Sequence, residues 1–268
     1  MKKILCLMIV CLICSVAKAH AGYVIDGSIL DWGVDLSLSG SDLKGFLDTN
    51  LPGKSSVDVV TEDNTDKNGV GYVFVGPGYS TKNTYDAEAM YFDNDDTYAY
   101  LAIVSGLERS EGTYPAGDIF IATTADPFST NKYEYAINVF TGDVYLVGTT
   151  AAAVQNVSYT QHSEANPWRL SRTNTGAVSS ANTWVGKLDS DEFVYGSLYK
   201  THTVIEARIP LAWINADNDV WAHWTMKCGN DYLNLHGTVT TTPEPATVML
   251  LGSGLLGLAG LRRRKSKV

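Results

Sequence analysis

Cysteine is almost absent from residues 20–240, which we call the body of this chain. The sequence has four cysteines, and Cys6, Cys11 and Cys14 all lie near the N-terminus. Cys228 is the single cysteine in the rest of the chain, so the body cannot form an internal disulfide. We expect Cys228 to be either a small buried apolar residue or a thiol available for linkage.

The sequence also lacks the short motifs of the common enzyme classes. Outside the apolar runs at its two ends, it has no Gly-x-Ser-x-Gly, no His-Glu-x-x-His, no phosphate-binding glycine loop and no Cys-x-x-Cys. Its five histidines are scattered without metal-ligand spacing. We therefore predict that the protein is not an enzyme. The paired carboxylates of glycoside hydrolases have no characteristic spacing in sequence, so a secreted hydrolase acting on polysaccharide stays open as the alternative.

Basic residues are scarce outside the two ends of the chain. The whole chain has 29 acidic and 20 basic residues, with a net charge of −9. The basic residues at the two ends are Lys2, Lys3, Lys18, Arg262, Arg263, Arg264, Lys265 and Lys267. The body between them is therefore more acidic than the net charge indicates, and it would repel nucleic acid. We predict no nucleic-acid partner.

The N-terminus has the three zones of an export signal in their usual order. These zones are Lys2 with Lys3, the apolar run at residues 4–16, and the small-x-small sequence Ala17-Lys18-Ala19. We predict a signal peptide at residues 1–19 that signal peptidase removes after Ala19. Ala19-His20-Ala21 fits the same rule, so a cut after Ala21 is the competing possibility.

The C-terminus also consists of distinct zones that follow one another along the sequence. Pro243, Glu244 and Pro245 precede an apolar stretch at residues 246–261, and Arg262, Arg263, Arg264 and Lys265 follow it. A transmembrane helix at 246–261 would be at the short end of the roughly 17–25 residues that cross a bilayer. The basic cluster predicts that this end stays in the cytoplasm, which places the body outside the inner membrane.

This tail resembles the PEP-CTERM sorting domain, with its Pro-Glu-Pro element, short glycine-rich hydrophobic helix and terminal arginine cluster. The resemblance covers residues 241–268. It implies that an exosortase of a Gram-negative bacterium recognises Pro243-Glu244-Pro245. It also implies that the protein is first held at the inner membrane and is then displayed on the cell surface or secreted.

The body, residues 20–240, has the pattern of an all-β domain, and we predict one antiparallel β-sandwich. Residues 98–104 are apolar on both faces, as in a covered central strand. Residues 203–209 alternate, with Ile205, Ala207 and Ile209 on one face and Glu206 and Arg208 on the other. Further strands are predicted at residues 71–75, 118–122, 133–139 and 144–147.

Three segments of the body resemble family-nine carbohydrate-binding modules and DOMON-like sandwiches. They are the opening Tyr-Val-Ile-Asp-Gly-Ser-Ile-Leu-Asp-Trp at residues 23–32, the acidic turn at 91–98, and the strand ending in Ile-Pro at 204–210. The resemblance implies a non-catalytic sandwich with extracellular polysaccharide as its partner. Some DOMON-like sandwiches bind haem, for which Met90, Met226 and His223 are the available axial ligands.

Two kinds of binding residue follow from these patterns. Asp93, Asp95 and Asp96 gather oxygen ligands in one turn, with Asp86 and Glu88 just upstream, and calcium is the ion we predict there. A solvated turn is the alternative. Residues 64–69 resemble the first half of a calcium loop but lack its final glutamate. Sugar-stacking or core-filling roles are both open for Trp168, Trp184, Trp213, Trp221 and Trp224, and Trp32 is predicted to be structural.

Overall fold

The part of the chain described by the computed structural model consists mainly of antiparallel strands. It comprises residues 22–34, 57–61, 87–105, 107, 113–147, 154–158, 165–171, 185–189, 203–214, 219–229, 231–240 and Gly254, with the backbone alone at 185–189 and 213–214. Gly22–Thr240 form one compact unit. The strand predicted at 71–75 and the calcium-loop-like segment at 64–69 lie outside the described residues.

The described elements follow one another in this order. They are a 3-10 helix (Leu30–Trp32), β1 (Asp58–Thr61), β2 (Ala87–Asn94), β3 (Tyr98–Ser105), β4 (Ile119–Ala122), β5 (Tyr135–Ile137), β6 (Val144–Leu146), β7 (Val154–Gln155), β8 (Arg169–Leu170), β9 (Val185–Asp189), β10 (Thr203–Pro210), α1 (Leu211–Ile214), β11 (Asp219–Thr225) and β12 (Tyr232–Thr238).

Ten of these strands form two five-stranded antiparallel sheets. The first sheet has the order β1-β2-β3-β10-β9, and the second has the order β12-β11-β4-β5-β6. Strands β7 and β8 pair with each other in a separate two-stranded sheet. The prediction of an all-β fold with antiparallel sheets is therefore confirmed.

The inner faces of the two sheets share one apolar core. Alternate residues of the first sheet point into it, among them Phe92, Leu101 and Ile205. Ile121 and Trp224 enter the same core from the second sheet. Burying a large apolar side chain contributes about 1.5–3 kcal/mol, so this core holds the two sheets together.

The outer face of the first sheet is covered by the N-terminal segment, residues 22–34. Tyr23, Ile29 and Trp32 pack there in a second apolar cluster with Tyr100 and Val104 of β3. Strand β3 is therefore buried on both faces, which confirms the expectation from its apolar sequence. This cover places the N-terminal segment against β10 as well.

Strand β10 shows the predicted alternation, with both faces covered. Ile205, Ala207 and Ile209 enter the shared core. Val204 and Glu206 point to the opposite face, where both side chains are completely buried beneath the N-terminal segment. A glutamate in a fully buried position needs hydrogen-bond donors, and these define the site described below.

The two sheets approach each other closely where β12 passes β2. A Cβ atom at position 237 would lie 2.4 Å from Cδ1 of Phe92, so the glycine lets the ring lie against the β12 backbone. Beside this contact, the backbone N–H of Thr238 donates to Oδ2 of Asp58 in β1 at 2.7 Å. The edge of the second sheet is thus joined to the edge of the first.

Candidate functional site

The carboxylate of Glu206 is the centre of a buried polar site. Its Oε2 accepts the backbone N–H groups of Gly27 at 2.7 Å and Asp26 at 3.0 Å. Its Oε1 accepts the indole N–H of Trp32 at 2.8 Å. All three donors belong to the N-terminal segment, so Glu206 attaches that segment to β10.

The electrostatics of Glu206 reflect its burial. Removal from water raises the pKa of this carboxyl to about 7, while the hydrogen bonds from Trp32, Gly27 and Asp26 act in the opposite direction. The nearby charge of Asp31 raises the pKa further. A carboxyl with a raised pKa resembles a general acid, but Glu206 has no exposed surface and its two oxygens already accept N–H donors. Its geometry fits a structural role.

The Asp-Gly and Asp-Trp pairs of the N-terminal segment form a compact turn. Gly27 has a φ of 84°, a conformation that favours glycine. Oδ2 of Asp31 accepts the backbone N–H of Val24 at 2.8 Å. The ring of Tyr23 stacks on that of Trp32, with centroids 3.9 Å apart. Trp32 is completely buried, which fits the structural role predicted for it, so the motif shapes the fold of this segment.

The carboxylates of the acidic turn between β2 and β3 also accept hydrogen bonds from neighbouring groups. Asp93 is buried, and its Oδ2 accepts the hydroxyl of Tyr23. Oδ1 of Asp95 accepts the backbone N–H groups of Thr97 and Tyr98, both at 2.7 Å. Oδ2 of Asp95 accepts the hydroxyl of Tyr100 at 2.7 Å. These bonds close the hairpin and attach the N-terminal segment to it.

The five residues predicted to bind calcium have different environments. Asp96 is exposed, Glu88 is buried where the register of β2 against β3 shifts, and Asp86 lies outside the described residues. Across the described ranges, no group of three or more histidine, cysteine, aspartate or glutamate side chains is placed to hold a metal ion. Calcium binding at this turn stays a prediction.

Trp221 is the tryptophan whose surroundings best fit a ligand surface. Trp224 is completely buried in the shared core and Trp168 is 5% exposed. Trp184 and the side chain of Trp213 lie outside the described residues. Trp221 is partly exposed on the outer face of the second sheet, where its ring stacks on His236 with centroids 5.0 Å apart and planes at 6°.

Trp221 packs against an apolar cluster on one side and has polar neighbours on the other. The register of β11 against β4 places Trp221 beside Ala122, whose side chain is small. On the other side, Nε2 of His236 lies 2.8 Å from Oδ1 of Asp219, and both side chains are about half exposed. An aromatic ring beside exposed hydrogen-bonding groups is a combination that can contact a sugar.

His223 lies one row further along the same sheet face and is completely buried. Its Nδ1 is 2.6 Å from Oδ1 of Asn234, and its Nε2 is 3.1 Å from the carbonyl oxygen of Pro167. Burial lowers its pKa to about 4, so the ring is neutral at physiological pH. Met90 and Met226 lie in the shared core, on the other side of this sheet. The three residues considered as haem ligands therefore do not face one pocket.

Comparison with protein-family models finds a match at the C-terminus, over residues 241–265, to the PEP-CTERM protein-sorting motif. The tail matches the PEP-CTERM sorting motif. The match includes Pro243, Glu244 and Pro245 together with the basic residues Arg262, Arg263, Arg264 and Lys265. The predicted sorting tail, with exosortase as the enzyme that processes it, is therefore supported.

Neither the curated proteins nor the solved structures include a match to this chain. The resemblance of the body to carbohydrate-binding and DOMON-like modules remains a prediction. Among the described residues there is no helix of the length and apolarity needed to cross a membrane. The predicted span at 246–261, apart from Gly254, and the cleavage residues Ala17 and Ala19 lie outside those residues.

Proposed function

We propose that this is an exported surface or extracellular-matrix protein that an exosortase sorts through its PEP-CTERM tail. The observation that carries the proposal is the sorting motif at residues 241–265. In this proposal the signal peptide takes the chain across the inner membrane. The tail then holds it there, with the body outside, until processing allows display on the cell surface or secretion.

The chemistry of the tail supports this order of events. Pro243 and Pro245 lack a backbone N–H and disfavour helix, and a sequence that disfavours helix suits recognition by a processing enzyme. Residues 246–261 would enter the bilayer, and the arginines that follow would stay on the cytoplasmic side. The exosortase would then meet Pro243-Glu244-Pro245 at the outer surface of the inner membrane.

For the body we propose a non-catalytic β-sandwich that contacts extracellular polysaccharide. Two antiparallel sheets with a shared core support the sandwich. Glu206 is the described carboxyl with a markedly raised pKa, and its oxygens are taken up by N–H donors, which supports a structural use. A hydrolase would need a pair of exposed carboxylates on opposite sides of a substrate cleft.

The polysaccharide contact that we propose is the outer face of the second sheet around Trp221. Its partly exposed indole can stack on the C–H face of a sugar ring, while His236 and Asp219 provide exposed hydrogen-bonding groups beside it. The acidic character of the chain favours a neutral or cationic glycan over a polyanionic one.

The experiment that tests the sorting proposal is intact-mass measurement of the full chain in a Gram-negative host that has an exosortase. Membrane, surface and medium fractions are compared for the wild-type protein and Glu244→Gln. We expect the wild-type protein to lose the tail near Pro243-Glu244-Pro245 and to reach the surface or the medium. The Glu244→Gln variant should accumulate in the membrane fraction with its tail intact.

Lys267→Gln is the matched control, because it changes a tail residue beyond the matched motif. This variant should be processed like the wild-type protein. A wild-type mass that runs unbroken to Val268 in every fraction would contradict processing. Loss of the tail in a strain without exosortase would show that another protease acts on it.

A further inference from the structure

We propose that signal peptidase cuts between Ala21 and Gly22, and that the new α-amino group of Gly22 pairs with the carboxylate of Asp95. This inference rests on the export proposed above and adds the site of processing and its structural consequence. Hydrolysis of the Ala21–Gly22 peptide bond consumes one water and leaves a carboxylate on Ala21 and an amino group on Gly22.

The first observation is the position of Gly22 in the folded body. The compact unit begins at this residue. The next residue, Tyr23, is held by its hydrogen bond to Asp93 and by its stacking on Trp32. The backbone at Gly22 is thus carried to a defined place over the β2–β3 hairpin, while Gly22 itself is exposed.

The second observation is the close approach of Gly22 to the hairpin. A Cβ atom at position 22 would lie 2.5 Å from the Tyr100 hydroxyl oxygen and 3.1 Å from Oδ2 of Asp95. Since N and Cβ on one Cα are about 2.5 Å apart by standard geometry, the backbone nitrogen of Gly22 lies within about 5.6 Å of that oxygen. Once the peptide bond is cut, rotation about the Cα–C bond of Gly22 can move the free amino group to the side of the Cα atom that faces the carboxylate.

The third observation is the acceptor capacity of Asp95. Its Oδ1 accepts two backbone N–H groups, whereas its Oδ2 accepts the hydroxyl of Tyr100. Each carboxylate oxygen can accept two hydrogen bonds, so Oδ2 can take another donor. An α-amino group has an ordinary pKa of about 8 and is largely protonated at neutral pH. It would form a charge-assisted hydrogen bond with Asp95.

The sequence before Gly22 meets the requirement of the protease. Ala19-His20-Ala21 has small residues at the two positions that signal peptidase reads. A cut after Ala19 would leave His20 and Ala21 attached, and position 22 would then carry a neutral amide. Cleavage after Ala21 is the choice that places a positive charge beside Asp95, and it does so only once the signal peptide has been removed.

N-terminal sequencing and intact mass of the exported protein test the cleavage site. We expect a mature chain that starts at Gly22. A chain that starts at His20 would overturn this inference and leave the export proposal standing. A chain that retains its first 21 residues would overturn both, so the two failures can be told apart.

The pairing is tested on the mature protein by titrating its α-amino group with NMR. In the wild-type protein the charge of Asp95 should raise the pKa of this group. Asp95→Asn should lower that pKa by about half a unit, the size expected of a partly exposed pair. Asparagine can still accept the N–H groups of Thr97 and Tyr98, so the turn should persist.

Asp96→Asn is the matched control, because it removes one negative charge from the adjacent exposed position. It should leave the pKa of the α-amino group closer to the wild-type value than Asp95→Asn does. Equal pKa values in the wild-type protein and in Asp95→Asn would overturn the pairing, whatever the cleavage site.

Discussion

The indole nitrogen of Trp32 donates a hydrogen bond to Oε1 of Glu206 at 2.8 Å, although the two residues are 174 positions apart in the chain. Trp32 ends the 3-10 helix of the N-terminal segment, and Glu206 lies within β10. Both side chains are completely buried. This bond, with those from Asp26 and Gly27, attaches the N-terminal segment to the outer face of the first sheet.

Replacing Glu206 with glutamine should change how stability depends on pH. Burial raises the pKa of Glu206 from 4.5 to about 7, so between these values the folded protein keeps a proton that the unfolded chain releases. The resulting stabilisation is complete below pH 4.5 and is lost as the pH rises through 7. Relative to Glu206→Gln, the wild-type protein should lose up to about 3 kcal/mol of unfolding free energy across this window.

Urea unfolding of both proteins at a series of pH values measures this difference. Asp96→Asn controls for the loss of one exposed negative charge. A gap between the wild-type protein and Glu206→Gln that stays constant with pH would contradict the prediction. It would mean that the three N–H donors keep the carboxylate ionised in the folded state.

His223 should make stability depend on pH in the opposite direction to Glu206. Burial lowers its pKa from 6.5 to about 4, so in this window the unfolded chain binds a proton that the folded ring does not. The contribution of the neutral His223 ring to stability is complete above pH 6.5. The free energy of unfolding should fall by up to about 3 kcal/mol as the pH drops through 4. His223→Gln should remove this fall, and His236→Gln, at an exposed histidine, is the control. Parallel stability curves for wild-type and His223→Gln would refute the prediction.

Gly237→Ala should destabilise the protein, because its Cβ would lie 2.4 Å from Cδ1 of Phe92 in the shared core. Forcing the ring to move is an overpacking change with a typical cost of about 1–3 kcal/mol. Thermal or urea unfolding measures the loss. In the double variant with Phe92→Leu, the smaller side chain should relieve the clash, so the effect of Gly237→Ala should shrink. Additive effects of the two changes would argue against direct contact.

Trp221→Ala should weaken binding of the purified body to the exopolysaccharide of its host, since the stacking ring would be lost. We expect affinity to fall by about five- to thirtyfold, which corresponds to on the order of 1–2 kcal/mol for one aromatic contact. Leu146→Ala is the control, because it removes an exposed apolar side chain from another strand of the same sheet. Equal binding by wild-type and Trp221→Ala would exclude this face as the contact.

The strands of the body could be predicted where the pattern was local. Residues 98–104 are apolar on both faces, and β3 is buried on both. The alternation of residues 203–209 correctly separated Ile205 from Glu206. That pattern contained no information on what covers the second face, because the cover comes from residues 22–34. The sequence pattern therefore did not predict that Glu206 is buried and accepts hydrogen bonds from the N-terminal segment.

The candidate sites show the same limit. The acidic turn at residues 93–96 was correctly recognised as a cluster of oxygen acceptors. Whether such oxygens meet a metal ion or N–H and O–H donors depends on the surroundings, and Asp93 meets the hydroxyl of Tyr23. For the tryptophans, composition left core and ligand roles open. The structure buries Trp224 in the core, whereas Trp221 is partly exposed and its ligand role stays a prediction.

The sequence by itself predicted the PEP-CTERM sorting motif of the tail and the β class of the body. Sorting enzymes read short linear segments, and strand alternation is a property of neighbouring residues, so both are present in the order of the amino acids. The tertiary structure decided that Glu206 holds the N-terminal segment and that Gly22 lies beside Asp95. These roles depend on burial and on hydrogen bonds between residues far apart in the chain, which only the folded arrangement of the sheets brings together.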